Sequence, residues 1–258
     1  VFRPMRISIL TIFPDFFPPA LAEGMIRAAR EKQRLAVDVV QLREFTDDSH
    51  RSTDDYPFGG GVGMIMKIDP IARALTSLAV GAREGRPAGT RVVLLSPQGR
   101  AFTQDVAIGY AALEHLVLVC GRYKGVDERV SERLVDEELS LGDFVLSGGE
   151  PAALCVVDAV ARLLPDVVGD FDSVESDSFH SGLLDAPYYT RPAEYQGWKV
   201  PEVLLSGNHA AIARWRREQA LRRTFERRPE LLERADLSPE DRRFVRALEQ
   251  ERAARDPR

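Results

Sequence analysis

LVLVCGRYKGVDERVSERLVDEELSLGDFVLSGGE, residues 116–150, holds the two features on which the fold turns. Two short apolar runs, Leu116–Cys120 and Phe144–Leu146, each abut a glycine turn, Gly121-Arg-Tyr-Lys-Gly125 and Gly148-Gly149. A buried strand that stops at glycine lets the backbone turn sharply and bring its N–H and C=O groups up to a ligand. In open α/β sheets ligands sit outside the carboxyl ends of the strands, where such turns lie. Two turns so close together predict one small-molecule pocket built mostly from main chain.

The flanking segments alternate strand and helix. Toward the N-terminus, Met5–Ile12 and Leu35–Leu42 read as strands, with a helix over Pro18–Lys32 between them. Arg43–Pro57 is a long polar loop ending in Phe58-Gly-Gly-Gly-Val-Gly63-Met64, and a loop of that length in a compact domain is usually functional. Asp69–Leu78 reads as a helix with Pro70 in its first turn. Arg91–Leu95 is a strand stopped by Ser96-Pro-Gln-Gly99; Gln104–Leu113 and Val126–Leu134 are helices, and Val135–Leu141 a strand. Ala152–Leu164 is a helix ended by Pro165. Apolar strands alternating with helices predict an α/β domain over residues 5–165, its parallel sheet covered on both faces.

Beyond this the pattern changes. Residues 166–185 are rich in Asp and Ser without a sustained period and read as an interdomain linker. Residues 186–258 form a small all-α domain with helices over Asn208–Phe225 and Ser238–Ala254; Ser238 is the N-cap of the second, Pro239 its first residue, and Asp241 helps hold its first turn. On the first, Ala211, Ile212, Trp215 and Phe225 fall on one side and Arg216, Arg223 and Arg227 on another. Trp215 is therefore expected to pack rather than to stack on a base.

The chain has 258 residues, a net charge of −5 and 44% apolar residues, enough for one large or two ordinary globular domains. No apolar run reaches the ~18 residues that span a membrane. The basic residues before Ile7–Phe13 precede a run too short for a signal peptide and without a cleavage site. Val1–Pro4 read as an upstream extension or tag remnant, with Met5 opening the domain. Residues 208–258 carry 14 Arg against 10 acids, so an acidic body bears a basic C-terminal segment, an asymmetry that points to a polyanionic partner. Cys120 and Cys155 have no metal-ligand spacing and are expected as buried, reduced thiols in a cytoplasmic protein. There is no phosphate-binding P-loop motif, no Gly-x-Gly-x-x-Gly after the first strand, and no His-x-x-x-His or Cys-x-x-Cys. Those absences argue against a nucleotide-triphosphate loop, a Rossmann dinucleotide site and a catalytic zinc.

The ordered set FPDFF (13–17), DDYPFGGGVGM (54–64), LSPQG (95–99), CGRYKGVDERV (120–130), LGDFVLSGGE (141–150), DSFHSGLL (177–184), YYTRP (188–192), VPEVLLSGNH (200–209) and WRREQALRRT (215–224) resembles the bacterial tRNA (guanine-N1)-methyltransferases, the TrmD family. Nine colinear motifs cover nearly the whole chain from Met5 onward. The resemblance implies an α/β domain whose C-terminal part is tied in a deep trefoil knot, a rare exception to ordinary chain topology. It implies S-adenosylmethionine bound in that knot and an antiparallel homodimer with active sites at the subunit interface. It also implies methyl transfer to N1 of guanine 37 of tRNA when another guanine precedes it.

That chemistry needs a base for the N1 proton and a stabiliser for charge growing on O6. By motif, the base is Asp177, and Arg162 is the cation that steadies O6 or orients Asp177. The matching cofactor turns are Leu95, Ser96, Pro97, Gln98 and Gly99; Gly121, Arg122 and Tyr123; Leu141, Gly142, Asp143, Phe144, Val145 and Leu146; and Gly148 and Gly149. Asp143 either attracts the cationic end of the cofactor or caps a helix. Arg214, Arg216, Arg217, Arg223 and Arg227 are expected on tRNA phosphates. The loop with Asp54, Asp55, Gly59, Gly60, Gly61 and Met64 is expected on the guanine, together with Ser178. No residue spacing points to a metal, and Mg²⁺ dependence is not readable from the residues.

Three positions depart from the family pattern. Lys124 stands where the knot turn usually has Glu, so no role of that carboxylate carries over. Pro151-Ala152 follow Ser-Gly-Gly-Glu, where proline is able to begin the helix. Val62 replaces the usual proline of the glycine loop. The rival readings are a knotted methyltransferase acting on ribosomal RNA or a ribose hydroxyl, and an RNA-binding protein of this fold without turnover.

Overall fold

A computed structural model describes residues 3–168 and 177–255, which form two compact units. The first contains strands β1 (Met5–Thr11), β2 (Leu35–Gln41), β3 (Asp54–Asp55), β4 (Ile65–Met66), β5 (Thr90–Ala101), β6 (His115–Cys120), β7 (Gly125–Val126) and β8 (Glu137–Ser140). Its helices are α1 (Pro18–Leu21), α2 (Gly24–Glu31), α3 (Ile68–Ser77), α4 (Gln104–Ala111) and α5 (Glu150–Ala161). Five strands make one sheet in the order β2-β1-β6-β5-β8, and every neighbouring pair is parallel.

The apolar runs are continuous because each inner strand feeds two cores. On β6, Leu116, Leu118 and Cys120 face a core closed by α2, α4 and α5. Val117 and Val119 face the opposite core, closed by α3 and the turn over Val130–Leu134. On β5, Val93 and Leu95 divide from Val92 and Leu94 in the same way. A strand with a period of two, buried on both faces, admits no polar alternation.

Several elements differ from the sequence expectation. The single helix over Pro18–Lys32 is two, because Gly24 adopts φ +59 after an extended Glu23. Strand β5 does not stop at Leu95 but continues to Ala101, with a register shift against β8 between Leu95 and Arg100. Ser96–Gly99 are thus an arch within a strand. The helix expected over Val126–Leu134 is reduced to β7 and one π-helical turn over Val130–Leu134. Phe144–Leu146 is an exposed loop rather than a buried strand, with Val145 84% exposed. Among the described residues β8 is the edge of the sheet, and this segment pairs with no strand. Cys155 is exposed, because α5 buries Ala152, Ala153, Val156, Val157, Val160 and Ala161 and turns Cys155 outward. Cys120 is buried as expected.

The second unit is not all-α as expected: beside helices α6 (Glu202–Leu205), α7 (His209–Arg227) and α8 (Pro239–Arg255) it contains a hairpin of β9 (Glu194–Tyr195) and β10 (Trp198–Lys199), closed by the Gln196-Gly197 turn. Asn208 caps α7 by accepting from the N–H of Ala211 at 3.1 Å. At the start of α8 the Asp241 N–H donates to Ser238 Oγ at 3.1 Å, and the Ser238 N–H returns a bond to Asp241 Oδ2 at 3.0 Å. Ser238 thus caps the helix and Asp241 holds its first turn, as expected, and the two do so reciprocally. Of the stretch expected as a linker, residues 169–176 lie outside the described residues. Residues 177–185 belong to the second unit, where Leu183 is buried and the Leu184 N–H donates to Thr224 Oγ1 at 3.0 Å.

Candidate active site

The arch within β5 and the carboxyl ends of β6 and β8 enclose a cleft of about 300 Å³. It is lined by the Leu94–Gln98 arch, the Gly121–Val126 turn, residues 138–142 and the loop 144–149. The volume is that of a small-molecule site. Of the sixteen residues expected on the cofactor, all but Gly99 and Asp143 line it. Gly99 lies against β8 instead, where a Cβ would overlap the main chain of Glu138 and Leu139. Asp143 is exposed outside the cleft.

Two backbone segments hold this wall together. The Gly149 N–H donates to the carbonyl of Gly121 at 2.9 Å, and Arg122 forms an antiparallel bridge with Gly148. A Cβ on Gly149 would lie 2.8 Å from the Cα of Cys120, so only glycine permits the approach. The Arg122 guanidinium donates to the carbonyl of Ser147 at 3.1 Å and lies 4.2 Å from the Phe13 ring centroid, bracing the loop.

Beneath the turn, Glu150 is buried at the start of α5 and accepts from the Thr11 hydroxyl at 2.8 Å. Thr11 Oγ1 in turn accepts from the Phe13 N–H at 2.9 Å. A carboxylate at a helix N-terminus is favoured by the helix dipole. Burial pushes the Cys120 thiol well above its usual range, and Glu150 adds to the effect. Cys120 is therefore a neutral packing group and not a nucleophile.

Besides the expected 121–125 turn, Ile65, Leu94, Val126, Glu128, Ser131, Glu138, Leu139, Ser140, Ser147 and Ala152 also line the cleft and were not singled out from the sequence. Their signal was membership of, or adjacency to, the DDYPFGGGVGM, LSPQG, CGRYKGVDERV and LGDFVLSGGE motifs. Ser140 Oγ bonds both the N–H and the carbonyl of Gly142, at 3.1 and 3.0 Å, and so fixes the turn.

The glycine-rich loop leaves the same region. β3 and β4 pair antiparallel, β4 pairs parallel with β7, and the Lys124 N–H donates to the Met64 carbonyl at 3.0 Å. Gly59, Gly60 and Gly61 adopt φ between +78 and +126. Asp55 is exposed and Asp54 half-buried, while Phe58 is 99% exposed.

The expected catalytic pair is divided between the units. Arg162 is the half-buried C-cap residue of α5, its N–H donating to Asp158 O at 3.3 Å. Asp177 is half-buried in the first described turn of the second unit, its carbonyl accepting from the His180 N–H at 3.2 Å. Ser178 Oγ accepts from the Asp185 N–H at 3.0 Å. Along α7, Arg214, Arg216 and Arg227 are exposed, and Arg216 lies 5.5 Å over the Tyr188 ring. Arg223 donates to Asp185 O at 3.4 Å. Arg217 is engaged elsewhere, donating to both carboxylate oxygens of Asp241 at 3.1 and 2.8 Å. Trp215 is half-buried with its ring 6.5 Å from Tyr189, as a packing residue would be. Among the described residues no cluster of three His, Cys, Asp or Glu side chains is arranged to hold a metal, and no helix is long and apolar enough to cross a membrane.

Comparison with known proteins bears on this geometry. A family model described as tRNA (Guanine-1)-methyltransferase TrmD matches residues 5–234. A tRNA (guanine-N(1)-)-methyltransferase of Moorella thermoacetica is 51% identical over 253 residues, spanning 98% of this chain and all of the relative. That of Symbiobacterium thermophilum is 54% identical over 244 residues, covering 94% of this chain and 98% of its own. That of Geobacillus kaustophilus is 47% identical over 248 residues, covering 96% of this chain and all of its own. With the match running through both units and across every segment of the cleft, the chain belongs to the tRNA (guanine-1)-methyltransferase TrmD family.

Proposed function

We propose that this chain methylates N1 of guanine 37 in tRNA, with S-adenosylmethionine as the donor bound in the cleft at the β5 arch and the ends of β6 and β8. The observation that carries the reading is the wall of main chain around the Gly149–Gly121 contact, where a Cβ on Gly149 would meet Cys120. Such a wall offers amide donors and carbonyl acceptors to an adenine, and room for a bent ligand, without a charged partner for the base. The bound donor would supply an electrophilic methyl group on a sulfonium.

The chain's own residues do the rest. Asp177 takes the N1 proton of guanine, which makes that nitrogen a nucleophile, and Arg162 stabilises the charge on O6. The loop 54–64 receives the guanine, and Arg214, Arg216 and Arg227 hold phosphates of the anticodon arm. A knotted domain belongs to this reading through the family resemblance, and the exposed Phe144, Val145 and Leu146 support pairing of two copies there. A cytoplasmic location follows from that substrate.

Labelled S-adenosylmethionine with tRNA transcripts tests the reading. Methyl transfer to wild-type transcript, lost on replacement of guanine 37 and lost in Asp177→Ala, is expected. Tight RNA binding without transfer, unchanged in Asp177→Ala, would overturn it.

A further inference from the structure

The hairpin of the second unit carries an aromatic pair that no core uses. Gln196 and Gly197 both adopt positive φ, +51 and +86, the two-residue turn that closes a tight hairpin. Tyr195 and Trp198 pair directly across it, their ring centroids 6.1 Å apart and tilted by 49°. Both rings remain in water: Trp198 is 73% and Tyr195 56% exposed. On the adjoining register Lys199 pairs with Glu194 at 3.8 Å. A hairpin this short is marginal by itself, and a cross-strand pair contributes only about 0.2–1 kcal/mol, so two large exposed rings are not accounted for by the fold.

The surroundings specify the partner. Arg191 and Lys199, close in sequence to the rings, are both exposed, Lys199 in its pair with Glu194. In the same unit Tyr188, 60% exposed, lies under the Arg216 guanidinium of α7. Exposed aromatic faces interleaved with cations match an unpaired, splayed-out nucleotide strand, whose bases stack and whose phosphates pair with arginine.

We infer that the Tyr195–Trp198 pair is a stacking platform for unpaired nucleotides of the tRNA substrate. This rests on RNA being the substrate and deepens it: the platform contributes affinity by stacking, whereas the exposed arginines of α7 contribute it by charge. The two contributions differ in salt dependence, because only phosphate contacts release counterions.

The chain has two tryptophans, so Trp215→Phe leaves Trp198 as the sole reporter. Its emission is expected to fall saturably on titration with an anticodon stem-loop RNA, including one lacking the methylatable guanine. Trp198→Ala is expected to weaken RNA binding about tenfold. It is expected to leave both the slope of log affinity against log salt and the affinity for S-adenosylmethionine unchanged, whereas Arg214→Ala reduces that slope. If Trp215→Phe does not fold, the difference between wild type and Trp198→Phe gives the same signal. Emission unmoved at RNA saturation overturns the proposal, as does wild-type RNA affinity in Trp198→Ala. Quenching by anionic lipid vesicles but not by RNA overturns it in favour of a membrane surface. Quenching by RNA without methyl transfer upholds the platform and sinks the proposed reaction instead.

Discussion

The amide of Gly149 donates to the carbonyl of Gly121 at 2.9 Å, so the end of β6 and the start of α5 meet main chain to main chain. The contact closes one wall of the cleft, and a Cβ at Gly149 would meet backbone rather than a movable side chain. Gly149→Ala should therefore lower stability by about 1–3 kcal/mol, the range for overpacking, and weaken S-adenosylmethionine binding at least tenfold. Chemical denaturation and calorimetric titration check it. A Gly149→Ala protein that binds the donor normally would show that the wall does not touch it.

Gly99 makes the complementary prediction. It is not in the cleft, yet a Cβ there would overlap β8 main chain. Gly99→Ala is expected to lose more stability than Gly149→Ala, and the Ser96–Gly99 arch to lose hydrogen-exchange protection.

Thr11 and Glu150 are buried and satisfy each other at 2.8 Å. Thr11→Val keeps the shape but strands both the carboxylate and the Phe13 amide, at a cost of about 2–3 kcal/mol. Thr11→Ser restores the hydroxyl and should recover most of it. Urea midpoints of the two variants, compared directly, decide the matter.

His115 gives a pH signature. Burial, reinforced by Arg6, pulls its pKa from 6.5 down to about 4, while its Nε2 lies 2.9 Å from Ser8 Oγ. Between those values the unfolded chain binds a proton that the folded chain does not. The stabilising contribution is thus complete above pH 6.5 and is lost as pH falls through about 4. Since the ring is partly solvated, the loss is about 1–2 kcal/mol. His115→Gln should flatten the dependence of unfolding free energy on pH between 4 and 7, and an unaltered slope would exclude His115 as its source.

Arg217 and its neighbours on α7 should separate by assay. Arg217 holds Asp241 at the reciprocal cap of α8, and that hydrogen bond is the main reason the Asp241 carboxyl is held down to about 2. Arg217→Ala is expected to destabilise the second unit by about 1–3 kcal/mol, since a charged hydrogen bond is lost. The Asp241 contribution is present above pH 4 and lost as pH falls through about 2. Arg214→Ala should instead leave stability within about 0.5 kcal/mol of wild type and weaken RNA binding.

How much of this was legible depended on whether the signal was local. The strands around Leu116–Cys120 and Arg91–Leu95, the cap at Ser238 and Asp241, and the packed Trp215 follow from runs, spacings and helical angles within a few residues. The helix over Val126–Leu134 and the strand over Phe144–Leu146 failed for the converse reason. Their apolar residues match a period, but Gly125–Val126 are drawn into pairing with β4, and Phe144–Leu146 find no strand to join.

The amino-acid sequence by itself determined an α/β domain with a parallel sheet, a basic helical segment, glycine turns at the strand ends and the motif order of the family. Each is written in short-range pattern or in residue identity. Only the tertiary structure decided that Gly99 serves β8 and not the cleft, that Glu150 is buried on Thr11, that Arg217 is committed to Asp241, and that Tyr195 and Trp198 are left in water. Those outcomes depend on which distant segments meet, and a sequence read one stretch at a time does not contain the meeting.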